Sequence, residues 1–254
     1  YKAIHYSNLA HAEGGRVLRA LVKNGNIGST WSCSAVEPKT QAKKHIKAAK
    51  KADALFNRMF IEPLLGLGYP FEDLSFINPV KKYILEGDDE KIKFDFDFIG
   101  CQNYFRTVAK FSLFPPLIWA DVVRGKNLVE DKSELTEMGW EVDPSGIYRI
   151  LKQFGQYGKP IIVTENGVAY EDIVEDDRIH DKKRIKFFED YLSQVLKAKN
   201  EGVDIRGYYI WTLLDNFEWA EGYHPRFGIV HVDFETQERT IKDSGYWFQQ
   251  FLKE

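Results

Sequence analysis

Only two cysteines occur in 254 residues, Cys33 and Cys101, and they fall in separate strand-like runs. That scarcity speaks against a disulfide and favours a reduced, cytoplasmic setting. No apolar run reaches the ~20 residues that a bilayer span needs, and no signal peptide is read ahead of Tyr1. No charge sign dominates: the formal net charge is -3, with acids and bases mixed along the chain. Neither nucleic acid nor an anionic membrane is therefore an expected partner. No His, Cys and Asp group has metal-ligand spacing, so no metal is expected, and nothing calls for a cofactor. Low-complexity tracts and short-period repeats are missing too.

What the chain does have is apolar bulk: 44% of residues are hydrophobic and 15% aromatic. That suffices for a sizeable core and for one or two domains. The aromatic surplus reads most simply as a Phe-rich core. The sharper alternative is a sugar site, where flat apolar faces pack on pyranose rings. The opening residues, Tyr1 to His5, already read as helix interior, with no cap or turn signal before them. A fragment or processed chain would begin in this way.

Strands and helices then alternate. Residues 1–23 form an amphipathic helix, and 26–38 a strand followed by a loop. Residues 40–65 read as one long helix with a solvated Lys-rich stripe, and 73–85 as loop and short helix. A strand lies in 94–105. Residues 106–142, with Pro115-Pro116, read as a long excursion, and loops of that length tend to be functional. Asp143 is the N-cap candidate of a helix over 143–158, with Pro144 at its first position. "KPIIVTENG" is the third strand, 180–201 a helix closed by Gly202, and 205–219 contains the fourth strand. A hairpin-like stretch and a helix over 243–253 complete the chain.

Such alternation implies βαβ units and a parallel sheet, either open and doubly wound or closed into a (β/α)8 barrel. No Gly-rich phosphate loop follows any strand, which weakens the dinucleotide-binding version. Polar and aromatic residues gather instead at the C-terminal ends of strands: Gln102-Asn103-Tyr104, Glu165-Asn166, and Asp215 to Trp219. In a barrel those ends build the active site. An unpaired charge is costly to bury. Glu165 at the tip of the apolar run Pro160–Thr164 therefore makes sense as a residue of that rim.

Five motifs, in order along nearly the whole chain, resemble glycoside hydrolase family 1, the β-glucosidase and β-galactosidase family. They are "LAHAEGGRVLR" (9–19), "ALFNRMFIEPLLGLGYP" (54–70), "FDFIGCQNY" (96–104), "VTENG" (163–167) and "IWTLLDNFEWAEGYHPRFGIVHVDF" (210–234). The resemblance implies a TIM-type (β/α)8 barrel. It also implies that residues 1–254 are a single domain supplying only its second half, strands 5–8, because four strand-helix units are found and not eight. The family's acid/base Glu and several hydroxyl-binding residues would precede Tyr1.

By the same resemblance Glu165 matches the nucleophile of a retaining β-glycosidase, and Tyr104 the residue that orients it. Gln102, Trp211, Glu218, Trp219 and Phe227 match positions around the sugar. Trp211 would lie under the ring, Glu218 and Trp219 would grip the distal hydroxyls, and Phe227 would close that wall. Relatives acting on 6-phosphorylated sugars replace the Glu218 position with a small hydroxyl residue and add a lysine. Here Glu218 is kept and "AEGYHPRFG" has no lysine. A carboxylate repels phosphate, so a neutral glycoside is expected. A retaining glycosidase needs two carboxyl groups about 5–5.5 Å apart. Glu37, in "AVEP", stands at the correct rim for the second one but reads first as a solvated loop acid. His224 and His231 read as ordinary loop residues.

Three outcomes fit these residues. The chain works with a complementary amino-terminal half-barrel, pairs with a copy of itself through its two sheet edges, or is a non-catalytic sugar-binding or degenerate fragment. The sugar, the aglycone and the choice between O- and S-glycosides stay open.

Overall fold

The computed structural model describes residues 1–114, 118–123, 134–176 and 178–253. Four parallel strands form its centre: Gly28–Ser32, Phe98–Gln102, Ile161–Asn166 and Ile205–Ile210. They lie side by side in chain order, so every crossover moves one place along the sheet. The arrangement is α/β and fits a fragment of a (β/α)8 barrel. Among the described residues neither outer strand has a second partner in this sheet. Ser32 stands opposite Gln102, and Gln102 opposite Glu165, so three strand ends lie level.

Side chains alternate across the sheet. On one face Trp31, Cys33, Ile99, Cys101, Ile161 and Val163 are buried in the main core. Cys33 and Cys101 are free thiols. The helix Pro144–Gly155 adds Ile147, Ile150, Leu151 and Phe154 to that core, one apolar stripe spaced by three and four residues. The helix Lys182–Asn200 adds Phe187, Phe188, Tyr191, Leu192 and Val195 in the same way. Burying one such large side chain fully is worth about 1.5–3 kcal/mol. On the opposite face the hydroxyls of Thr30 and Thr164 meet at 2.6 Å across the second strand, where solvent still reaches them. In a closed barrel that face is filled by layers of side chains.

Three elements differ from the reading of the sequence. The helix expected over 40–65 is broken into Lys43–Asp53, a wider π-type turn at Ala54–Arg58, and Ile61–Leu64. Asn57, inside the wide turn, is buried and serves another backbone: it accepts from Ser34 N–H at 3.1 Å and donates to Ser34 C=O at 2.8 Å. The excursion over 106–142 contains two strands, Thr107–Phe111 and Ala120–Val123, paired antiparallel. The first of them also runs parallel to Val36–Pro38, which makes a small sheet beside the rim. Pro115 and Pro116 lie outside the described residues. Asp143 does precede its helix, but its carboxylate caps no backbone N–H; it accepts from Ser145 Oγ at 2.5 Å and Arg149 Nη2 at 2.6 Å. No helix among the described residues is long and apolar enough to cross a membrane.

Candidate active site

The ends of the central strands are tied together just below the rim. The Tyr208 hydroxyl donates to Asn166 Oδ1 at 2.5 Å, Asn166 Nδ2 to the Asn103 carbonyl at 2.7 Å, and Asn103 Nδ2 to the Cys33 carbonyl at 2.9 Å. One chain of hydrogen bonds thus spans all four strands. Backbone contact closes the last gap, where Trp211 N–H donates to the Asn166 carbonyl at 2.8 Å. At Gly167 a Cβ would stand 1.8 Å from the Trp211 carbonyl oxygen, so only glycine permits this approach.

Glu165 stands on this platform, half-buried, with both carboxylate oxygens engaged. Gln102 Nε2 donates to Oε1 at 2.6 Å and the Tyr104 hydroxyl to Oε2 at 2.7 Å. Two donors from one neighbouring segment fix the rotamer and aim the remaining lone pairs. Burial, and then the bond to Glu165, push the Tyr104 phenol far above its ordinary pKa, so it stays a donor. Its ring packs against Trp140 at 5.4 Å and Phe227 at 6.1 Å between centroids. Gln102, matched to a sugar-side position, therefore contacts the carboxylate itself.

Trp211 and Glu218 are also brought together: the indole N–H of Trp211 donates to Glu218 Oε1 at 3.1 Å. Burial raises the Glu218 pKa, an effect that Trp211 opposes and the negative Glu165 reinforces. Phe227 is buried and closes one wall against Tyr104 and Trp140. Trp219 is not part of this group. Its residue is 84% exposed and its backbone takes a left-handed φ of 49°.

Glu37 does lie at the rim, but as a bridge between cations. Arg106 Nη1 donates to its Oε2 at 2.8 Å and Arg149 Nε lies 2.9 Å from its Oε1. Arg106 is itself held by Glu141 at 2.7 and 3.0 Å, which raises its pKa. Both of its oxygens are thus occupied by guanidinium groups. Asp172, Asp215 and His231 converge closely enough to suggest a metal. The ammonium of Lys242 fills that point, on Asp172 and 3.1 Å from Asp215.

A cavity of about 840 Å³ opens beside Tyr104 and Gln102, walled by Phe56, Phe60, Phe105 and Trp140. Sequence reading missed Trp140, which packs on Phe105, Tyr104 and Phe227. Its one signal is a lone aromatic in "MGWEVDP", between a turn and a helix start.

The sequence profile of glycosyl hydrolase family 1 matches residues 1–254. β-Glucosidase A of Thermotoga maritima is 38% identical over 257 residues, covering 100% of this chain and 56% of that protein. The AHE enzyme from Alicyclobacillus herbarius superposes with a TM-score of 0.90 at 33% identity, over 98% of this chain and 55% of that one. A family 1 β-glucosidase from Thermotoga maritima in complex with isofagomine lactam gives 0.87 at 39% identity, over 99% and 56%. The chain spans little more than half the length of these relatives.

Proposed function

The chain belongs to glycosyl hydrolase family 1, and on that footing we propose that it is the carboxy-terminal half, strands 5–8, of a retaining β-glycosidase barrel acting on neutral β-glucosides or related β-glycosides. The observation that carries this reading is Glu165, at a parallel strand end, with one donor on each oxygen. An oxygen of Glu165 attacks the anomeric carbon as the bond to the leaving oxygen breaks, giving a glycosyl ester. Water then displaces Glu165 and regenerates the carboxylate. Each step needs a second carboxyl group, first to protonate the leaving oxygen and then to take a proton from water. Neither of the two candidates among the described residues suits that task. Glu37 sits on two arginines, and Glu218 is bonded to Trp211 on the sugar-gripping loop.

On this reading the acid/base comes from a complementary amino-terminal half-barrel, which also pairs with the two outer strands of the described sheet. Their edges support self-association as the second reading. Retention of Glu218 supports a neutral sugar over a phosphorylated one. Two buried free thiols suit a cytoplasmic setting.

Covalent trapping tests the assignment. The chain is reconstituted with the amino-terminal half-barrel of a family relative and incubated with an activated 2-deoxy-2-fluoro β-glucoside, whose fluorine slows breakdown of the ester. Peptide mapping should find the label on Glu165. A label on another residue removes Glu165 from the nucleophile role.

A further inference from the structure

Residues 211–228 carry three side chains that the structure brings to the candidate site, Trp211, Glu218 and Phe227, together with the exposed Trp219. Much of this segment is at the surface, with Leu213, Phe217 and Tyr223 each more than half exposed. Its base, however, is fastened by buried charge. Asp215, three residues before Glu218, has a side chain with no exposed area. Its Oδ1 accepts from the backbone N–H of Gly228 at 2.8 Å and from Lys242 Nζ at 3.1 Å. Its Oδ2 accepts from Val232 N–H and Arg226 Nη1, both at 3.4 Å. One carboxylate thus ties the limb entering the loop to the limb leaving it. The limbs touch directly, because a Cβ at Gly228 would stand 2.3 Å from the Asp215 nitrogen.

Lys242 holds this knot from outside the loop. Its side chain is fully buried and spans Asp172 and Asp215. Arg184, equally buried, pairs with Asp172 and Asp181 and donates to the Arg226 carbonyl at 2.6 Å. Three carboxylates, Asp172, Asp181 and Asp215, therefore balance three cations, Arg184, Arg226 and Lys242. His231 stands 3.4 Å from Asp172 and 3.5 Å from Asp215. Burial lowers the Lys242 pKa, Arg184 adds to that, and the two carboxylates oppose it. Desolvating so many charges is expensive, and an apolar cluster would stabilise the fold as well or better. What a satisfied polar network adds is a single defined arrangement.

We propose that Lys242 is a positioning residue for the sugar-gripping loop: through Asp215 it keeps the two limbs closed and sets where Glu218 and Phe227 stand relative to Glu165. The proposal rests on the reading of Glu218 as a sugar-binding carboxylate. Lys242 touches no substrate and takes no part in the bond changes.

Lys242→Met, which keeps most of the side chain's length and removes its charge, tests this in two ways. In the chain itself, hydrogen exchange of the amides of residues 213–230 should become at least about tenfold faster, while the Ile161–Asn166 strand exchanges as before. Unchanged exchange in 213–230 overturns the proposal. In the reconstituted protein, kcat/KM for a nitrophenyl β-glucoside should fall roughly ten- to hundredfold, mainly through KM. For a 4,6-dideoxy analogue, which lacks the distal hydroxyls, it should fall less than about threefold. Equal losses on the two substrates mean only structural damage and also overturn it. Lys242→Arg should restore part of the discrimination. Asp215→Asn, which keeps the local shape, is read in the same two assays should the methionine variant not fold. If Glu218→Ser itself fails to discriminate the two glycosides, the reading of Glu218 falls, and the exchange experiment still decides whether Lys242 holds the loop.

Discussion

The hydroxyl of Tyr104 and the carboxylate of Glu165, 61 positions apart in the chain, meet at 2.7 Å. The contact arises because the second and third central strands are neighbours and a one-residue register shift after Cys101 sets Gln102 opposite Glu165. Tyr104 then extends two residues past that pair. Tyr104→Phe keeps the ring against Trp140 and Phe227 and deletes only the donor. A hydrogen bond to a charged group is worth about 1.5–3 kcal/mol. In the reconstituted enzyme kcat should therefore drop roughly ten- to hundredfold, with little change in the thermal midpoint. Full kcat in the phenylalanine variant would show that Gln102 alone orients the carboxylate.

Glu218→Ser probes the other side of the site. Glu218 is bonded to Trp211 and faces the field of Glu165, so its loss removes an acceptor and relieves a repulsion. If it grips sugar hydroxyls, kcat/KM for a neutral β-glucoside should fall roughly ten- to hundredfold. The melting temperature should hold or rise slightly, because a half-buried carboxylate with a raised pKa is a cost to the folded state at neutral pH. An unchanged specificity constant places Glu218 outside the site.

The sheet was readable because its signals are local. Runs such as Ile161–Val163 declare a buried strand, Gly167 and Gly202 punctuate, and the stripe Ile147, Ile150, Leu151, Phe154 declares a helix face. The partners of charged residues were not readable, because they are set by packing across long separations. Nothing in "AVEP" says that Arg106 and Arg149 converge on Glu37, 69 residues away in the case of Arg106. The strands Thr107–Phe111 and Ala120–Val123 escaped notice because the prolines between them argued for a loop. Trp219 shows the same limit. Its adjacency to Glu218 in sequence suggested a shared contact, but the Glu218 carboxylate is bonded to Trp211 and Trp219 is 84% exposed.

Acid should loosen the anchoring of the amino-terminal helix. His5 and Asp88, both buried, are bonded at 3.0 Å, and the second His5 ring nitrogen lies 3.1 Å from the Tyr69 hydroxyl. The bond from His5, followed by the backbone N–H of Leu85, holds the Asp88 pKa below its usual value. The folded chain thus binds the Asp88 proton less tightly than the unfolded chain does. Stabilisation from this group is complete above the ordinary carboxylate range, about pH 4, and is lost as the pH falls through the lower folded value. Thermal midpoints of the parent and of Asp88→Asn, measured between about pH 7 and pH 3, should differ most near neutrality and converge below about pH 4. A gap that stays constant with pH would mean that Asp88 acts through shape and not charge.

The sharpest expectation concerns the chain by itself. It should hydrolyse a nitrophenyl β-glucoside at no more than a trace rate, although Glu165, Gln102 and Tyr104 are already assembled. General acid-base catalysis is typically worth about 10²–10⁴-fold, and Glu37, a rim carboxylate that could supply it, is engaged by Arg106 and Arg149. A nitrophenolate leaves with little protonation, so the missing acid weighs less on the first step. The second step still needs a base for water, and the open face around Thr30 and Thr164 admits solvent where a closed site excludes it. Hydrolysis is followed on the purified chain, with intact mass confirming that no longer polypeptide is present, and again after adding the amino-terminal half-barrel of a relative. Activity that appears only with the added half supports two-part assembly. Strong activity of the chain alone that Glu37→Gln abolishes would show that the arginine bridge opens and that half a barrel can recruit its own acid. Strong activity that survives that substitution, from a species of twice the chain mass, would instead favour pairing of two copies through their open strand edges.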